Sequence, residues 1–142
     1  MNPDDLRVAR LRHLDALSDE EFAAEVREHQ RATWRGPSLL EHAKKHRDDF
    51  EEMLGRVLPP SEIEELSRDV LVAWDRLFTS LHHTTDITYY FASQWSADEA
   101  ILVAVTRGGR IRTMIPIENF SRFLVRHPAL IEVTDRGKHL GL

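Results

Sequence analysis

The stretch Ala100-Ile101-Leu102-Val103-Ala104-Val105-Thr106-Arg107-Gly108-Gly109-Arg110-Ile111-Arg112-Thr113-Met114-Ile115-Pro116-Ile117 decides the fold class. Gly-Gly separates an apolar run from an alternating one. Tight hairpin turns need positive φ, which glycine adopts without steric cost, so the stretch predicts two antiparallel strands. In the second arm Ile111, Thr113 and Ile115 alternate with Arg110, Arg112 and Met114, which predicts two opposite faces. Pro116 cannot donate to a ladder, so this strand should end there or lie on an edge. Upstream, Asp86-Ile87-Thr88-Tyr89-Tyr90-Phe91 has the β-branched and aromatic content of another strand. Downstream, Phe120–Leu124 and Ala129–Val133 read either as a short helix plus a strand or as a partner-binding arm.

The first half of the chain has a different period. Asn2-Pro3-Asp4-Asp5 places a cap, a first-turn proline and two carboxylates where a helix start favours them. Ser18 with Glu21, Ser38 with Glu41 and Ser61 with Glu64 match the capping-box spacing, the last two directly after Gly36-Pro37 and Pro59-Pro60. Ile63, Leu66, Val70, Trp74, Leu77, Phe78 and Leu81 recur at three- and four-residue spacing and predict a helix over about 61–79. Leu39, Ala43, Phe50, Met53, Leu54 and Val57 predict another over about 37–57. Two shorter helices are marked by Leu6, Ala9, Leu14 and Leu17, and by Phe22, Val26 and Gln30. Helices first and a strand meander afterwards give an α+β class, with N-terminal helices packed on a small twisted antiparallel sheet formed by the C-terminal half. The expected division is a helical extension over 1–36 and an α+β domain over 37–142.

Composition bounds the function. With 142 residues, 42% of them hydrophobic and 30% charged, the chain has material for one domain with one ordinary core. Its longest apolar run, near Ala100–Val105, falls short of the roughly 20 residues that span a bilayer. The opening MNPDDLRVAR contains no apolar stretch of signal-peptide type. Cysteine is absent, which excludes disulfides and thiolate metal sites and makes the cytoplasm the expected compartment. The net charge is −5: −2 over 1–36, −4 over 37–79 and +1 over 80–142. That is not the footprint of a nonspecific nucleic-acid binder, whose affinity comes from basic excess, so any phosphate site must rest on a few placed residues.

Those residues are found in Ser38-Leu39-Leu40-Glu41-His42-Ala43-Lys44-Lys45-His46-Arg47-Asp48-Asp49-Phe50. On a helix, positions 42, 45, 46 and 49 cluster on one side. Two imidazoles able to move protons near neutral pH, an ammonium and a carboxylate are the components of phosphoryl chemistry without a metal. Arg112 and Thr113 would complete an anion clamp if their strand packs opposite. Taken singly, the same residues have plainer readings. His46 falls on the apolar stripe as a half-buried structural histidine. Lys44 and Lys45 among nearby acids read as a solvated face with i,i+4 pairs. Arg110 and Arg112 read as solvent-facing. A metal held by His42 and His46 with Asp49 or the His82-His83 pair is disfavoured by the intervening lysines, and no metal or cofactor is implied. P-loop, dinucleotide-binding and nucleophile-elbow signatures are missing.

The pattern L-x-x-H-x-x-K-H-x-x-x-F, here Leu39, His42, Lys45, His46 and Phe50, resembles the opening helix of the barnase–EndoU–colicin–RelE-like toxin nucleases. Gly109-Arg110-Ile111-Arg112-Thr113-Met114-Ile115-Pro116 is similar to that family's closing G-x-I-x-T-x-x-x-P, one residue shorter. The resemblance covers roughly 37–117. Arg47 replaces the usual glycine after Lys-His, and Ala43 the usual aromatic after the first histidine. It implies a metal-independent endoribonuclease of toxin type, in which a ribose 2′-hydroxyl attacks the adjacent phosphate. His42 then corresponds to the general base or acid, Lys45 to the phosphate-facing lysine, Arg112 and Thr113 to the phosphate-binding strand residues, and His46 to a second proton carrier or structural residue. Implied partners are RNA and a cognate antitoxin or immunity protein, with no membrane. The N-terminal helices are candidates for homodimerisation or docking. A noncatalytic immunity or antitoxin-type domain is the competing expectation. It accounts for the acidic balance directly, with Glu62, Glu64, Glu65 and Asp69 offered to a basic partner.

Overall fold

The computed structural model describes residues 2–82 and 86–142. Its elements run α1 (Pro3–Ala16), α2 (Asp19–Gln30), α3 (Gly36–Lys45), α4 (Arg47–Leu54), α5 (Pro60–Val72), β1 (Arg76–His82), β2 (Asp86–Gln94), β3 (Ala100–Thr106), β4 (Arg110–Ile117), α6 (Phe120–Arg126), β5 (Ile131–Glu132) and α7 (Thr134–His139). The strands form one antiparallel sheet in the order β4-β3-β2-β1-β5. This is the α+β architecture that the hairpin and the helical first half predict.

Two apolar clusters hold the sheet. The larger joins Leu14, Phe22 and Val26 from α1 and α2, Leu39, Phe50, Ile63 and Leu71 from α3 to α5, and the inward sheet residues Leu77, Tyr89, Phe91, Ile101, Val103 and Val105. Residues 2–36 therefore share the core of the rest of the chain, and of their large apolar side chains Val8 and Leu11 remain exposed. The smaller cluster, on the opposite face, packs Phe78, Ala92, Leu102 and Ile117 under Phe120 of α6. The tail resolves as α6 followed by β5 and α7, so the helix-plus-strand reading holds.

Several local expectations are corrected. The helix predicted to reach Thr79 ends at Val72, and its apolar stripe continues into β1. Leu77, Phe78, Thr79 and Ser80 are buried in succession because β1 is covered on both faces, and such a run cannot be told from a buried helix by spacing. Asp75 anchors the turn: its N–H donates to the Ala92 carbonyl at 2.8 Å and its carboxylate accepts from Gln94 N–H at 2.7 Å. His82 consequently ends a strand, and His83 lies outside the described residues. The helix predicted over 37–57 is two, divided at His46, where φ −104° and ψ 14° leave the helical region. The Asn2 cap and the Ser18–Glu21 capping box form. Ser38 and Ser61 do not cap, because α3 and α5 begin earlier, at N-caps Arg35 and Pro59.

In β4, Thr113 pairs with Ala104 and Ile111 with Val105, so Arg112 is the extra residue of a β-bulge. The bulge resets the alternation: Ile111 and Met114 both enter the larger core, while Ile115 packs with the smaller one. Expectation had Met114 opposite Ile111. β4 is an edge strand, as Pro116 indicated, and earlier residues cover it. Thr33 donates its N–H to the Gly109 carbonyl and accepts from Ile111 N–H, both at 3.0 Å. Covering an edge in this way removes a template for strand addition.

Candidate functional site

The sequence-predicted residues meet where α3 passes the bulged edge of β4. His42, on the buried side of α3, brings Nε2 within 3.0 Å of the Met114 N–H and 2.5 Å of the Met114 carbonyl. A single ring nitrogen serves one of these at a time: unprotonated it accepts from the N–H, protonated it donates to the carbonyl. The same nitrogen is 3.5 Å from Thr113 Oγ1. Trp34, whose indole N–H donates to Ser67 Oγ at 2.9 Å, packs on one side of the His42 ring with centroids 5.0 Å apart. His46 packs against it with centroids 4.5 Å apart. Burial, with the charges of His46 and Lys45, holds the His42 imidazole below its ordinary pKa, against the raising effect of the Met114 bond.

His46 is differently placed. It follows the last turn of α3 and keeps 17% of its side chain exposed. Its Nδ1 donates to Asp49 Oδ2 at 3.0 Å. A carboxylate on Nδ1 fixes the tautomer that leaves Nε2 as the proton acceptor. Lys45 and Arg112 are exposed and form no ion pair with the described residues, and each is the chain neighbour of a placed group, His46 and Thr113. The structure thus joins His42 to His46 and to Thr113 directly, and leaves Lys45 and Arg112 exposed as the chain neighbours of His46 and Thr113. The arrangement offers one oriented imidazole, one immobilised imidazole, a hydroxyl and two unpaired cations. Among the described residues, no group of three or more His, Asp or Glu is arranged around a metal position.

A second polar constellation was not read from the sequence. Arg10, fully buried, donates to Thr79 Oγ1 from Nε at 3.1 Å, to Tyr89 Oη at 3.1 Å, to Glu25 Oε1 at 2.5 Å and to His13 Nδ1 at 2.5 Å. Tyr89 donates its hydroxyl to the same Glu25 oxygen at 2.8 Å. Burial acts to raise the Glu25 pKa, but the bonds and charge of Arg10 and the Tyr89 hydroxyl outweigh it and hold the carboxylate below its ordinary value. Burial and the Glu25 charge push the Tyr89 phenol well up. One signal was present: Arg10 falls between Leu6 and Leu14 at i,i+4 spacing, a charge on the apolar side of α1. Compared with known proteins, the chain matches no protein family, no characterised protein and no solved structure.

Proposed function

We propose that this chain is a metal-independent endoribonuclease domain of toxin type, acting on RNA in the cytoplasm. The observation that supports the reading is the meeting of α3 with the β4 bulge, where an Asp49-oriented His46 lies against a His42 locked beside Thr113. In this scheme His46 Nε2 takes the proton of a ribose 2′-hydroxyl. The 2′-oxygen bonds to phosphorus, the bond from phosphorus to the 5′-oxygen breaks, and that oxygen takes a proton from water, to which His46 returns the proton it took. Lys45 and Arg112 compensate the charge on the phosphate oxygens. His42, bound to main chain and buried, is a positioning residue. The chain left behind ends in a 2′,3′-cyclic phosphate.

The test is incubation of the purified chain with total RNA, with and without a chelator. Chelator-resistant cleavage to cyclic-phosphate ends is expected, falling at least about a hundredfold in His46→Ala, the scale of one general acid–base group. Intact RNA, or undiminished cleavage by His46→Ala, overturns it. The alternative is a noncatalytic domain that binds a basic partner. It is favoured by the shallow groove where Glu65 and Asp69 border the half-exposed Trp95, Glu62 and Glu64 being already paired with Arg56 and Arg68. Inert protein that forms a tight one-to-one complex with a basic toxin decides for that reading. If the nuclease reading holds, a cognate antitoxin or immunity protein is the implied partner.

A further inference from the structure

A parallel bridge joins Thr33 to Arg110, held by the two main-chain bonds of Thr33 to Gly109 and Ile111. Along the first segment Arg31, Thr33 and Arg35 are exposed, while Ala32 is buried and Trp34 half-buried. Along the second, Arg110 and Arg112 are exposed and Ile111 is buried. Because the pairing is parallel, Arg35 follows Thr33 in the direction in which Arg112 follows Arg110. The bridge therefore gathers four arginines at one edge of the sheet, and none of them forms a hydrogen bond or ion pair with the described residues. No carboxylate occurs over 29–40 or 100–117, the two stretches that meet here. Glu64, which lines the cleft beside Thr33 and Ile111, is already engaged by Arg68 at 2.8 Å. In a chain of net charge −5, this edge is a local excess of unmatched cations.

We infer that the edge is a track for the backbone of single-stranded RNA, with Arg31, Arg35 and Arg110 holding phosphates outside the scissile one. The inference rests on the ribonuclease reading for the identity of the anion. Gathered like charges repel one another, and a chain of phosphates relieves that repulsion at several points at once. A protein strand suits the same edge less, because main-chain groups it would pair with are taken by Thr33 and, at Met114, by His42. The strand also leads from Arg110 and Arg112 directly into Thr113, whose Oγ1 is 3.5 Å from His42 Nε2.

The experiment separates binding from cleavage. The full chain carrying His46→Ala is titrated with a fluorescein-labelled oligouridylate of about twelve nucleotides, over about 50 to 200 mM salt. Each phosphate neutralised on a single strand contributes about 0.7 to the slope of log affinity against log salt. Arg31→Gln, Arg35→Gln and Arg110→Gln together are expected to reduce that slope by about 2 and to weaken binding at least about tenfold at the lower salt. Arg12→Gln, Arg122→Gln and Arg126→Gln, at exposed positions on α1 and α6, change the net charge equally and are expected to leave the slope within about half a unit. Equal losses in the two triple variants, an unchanged slope in the first, or tighter binding of an oligoglutamate of equal length overturns the inference. If the unsubstituted chain leaves total RNA intact while the slopes differ as expected, the nuclease reading falls and the track stands. If cleavage proceeds and the slopes do not differ, the track alone falls.

Discussion

His42 and His46 are separated by one helical turn and by their surroundings. The first is closed in by Trp34, His46 and the Met114 main chain; the second keeps an open edge and a carboxylate. His42→Ala would strand a main-chain group of a buried edge, at about 1–3 kcal/mol, whereas His46→Ala should leave the denaturation midpoint nearly unmoved. The pH dependence follows from the buried imidazoles. His29 and His42 are both held below their ordinary value, chiefly by burial. The unfolded chain therefore takes up protons as pH falls through about 6.5 while the folded chain does not. Stability is complete above that pH and declines below it, levelling only when the folded rings protonate. Urea midpoints at about pH 7.5 and 5.5 should show the decline, and His42→Gln, which keeps a bond to the main chain without a titrating ring, should lessen it. An unchanged slope in His42→Gln would remove His42 from this account. Glu25 belongs to a lower window: its stabilisation is present above about 4.5 and is lost as pH falls below that value.

Among elements, the legible ones are those whose residue types agree with their spacing. The Gly108-Gly109 hairpin was readable because both glycines do adopt positive φ, 100° and 76°, and because the flanking strands are long and apolar. β1 was not, since Leu77-Phe78-Thr79-Ser80 is buried without alternation and extends the helical stripe of α5. The bulge at Arg112 was also hidden, because one unpaired residue changes faces without changing composition. The nearness of His42 to the β4 strand was inferable only through resemblance; spacing placed both on suitable elements but could not bring the elements together. α7 shows what such silent packing is worth. A Cβ at Gly137 would come within 2.9 Å of Trp74 Cη2, and the Lys138 ammonium lies 4.0 Å from the centre of a Trp74 ring. Gly137→Ala should therefore lower stability by about 1–3 kcal/mol, the range for overpacking, with altered tryptophan fluorescence as the local reporter. Unchanged stability would mean that α7 shifts without loss.

For the whole molecule, the buried Arg10 decides how the N-terminal helices belong to the sheet. It ties α1 to Glu25 of α2, Thr79 of β1 and Tyr89 of β2 at once. Removing one partner of a buried ion pair leaves the other charge unmatched, so Arg10→Ala is expected to cost about 3–5 kcal/mol. Arg10→Met with Glu25→Gln should cost less than Arg10→Ala alone, because packing is kept and no charge is stranded. Chemical denaturation of the three proteins separates these outcomes. Equal losses would mean that the network acts through side-chain volume alone.

The contacts of Arg10 also bear on biosynthesis. Its partners Thr79 and Tyr89 follow it by 69 and 79 positions. Helix α1 leaves the ribosome ahead of these strands and must wait, with its guanidinium still in water, until they have been translated. Native docking of that helix is thus a late event, and a chain halted before Tyr89 would lack the surface that α1 is built to meet.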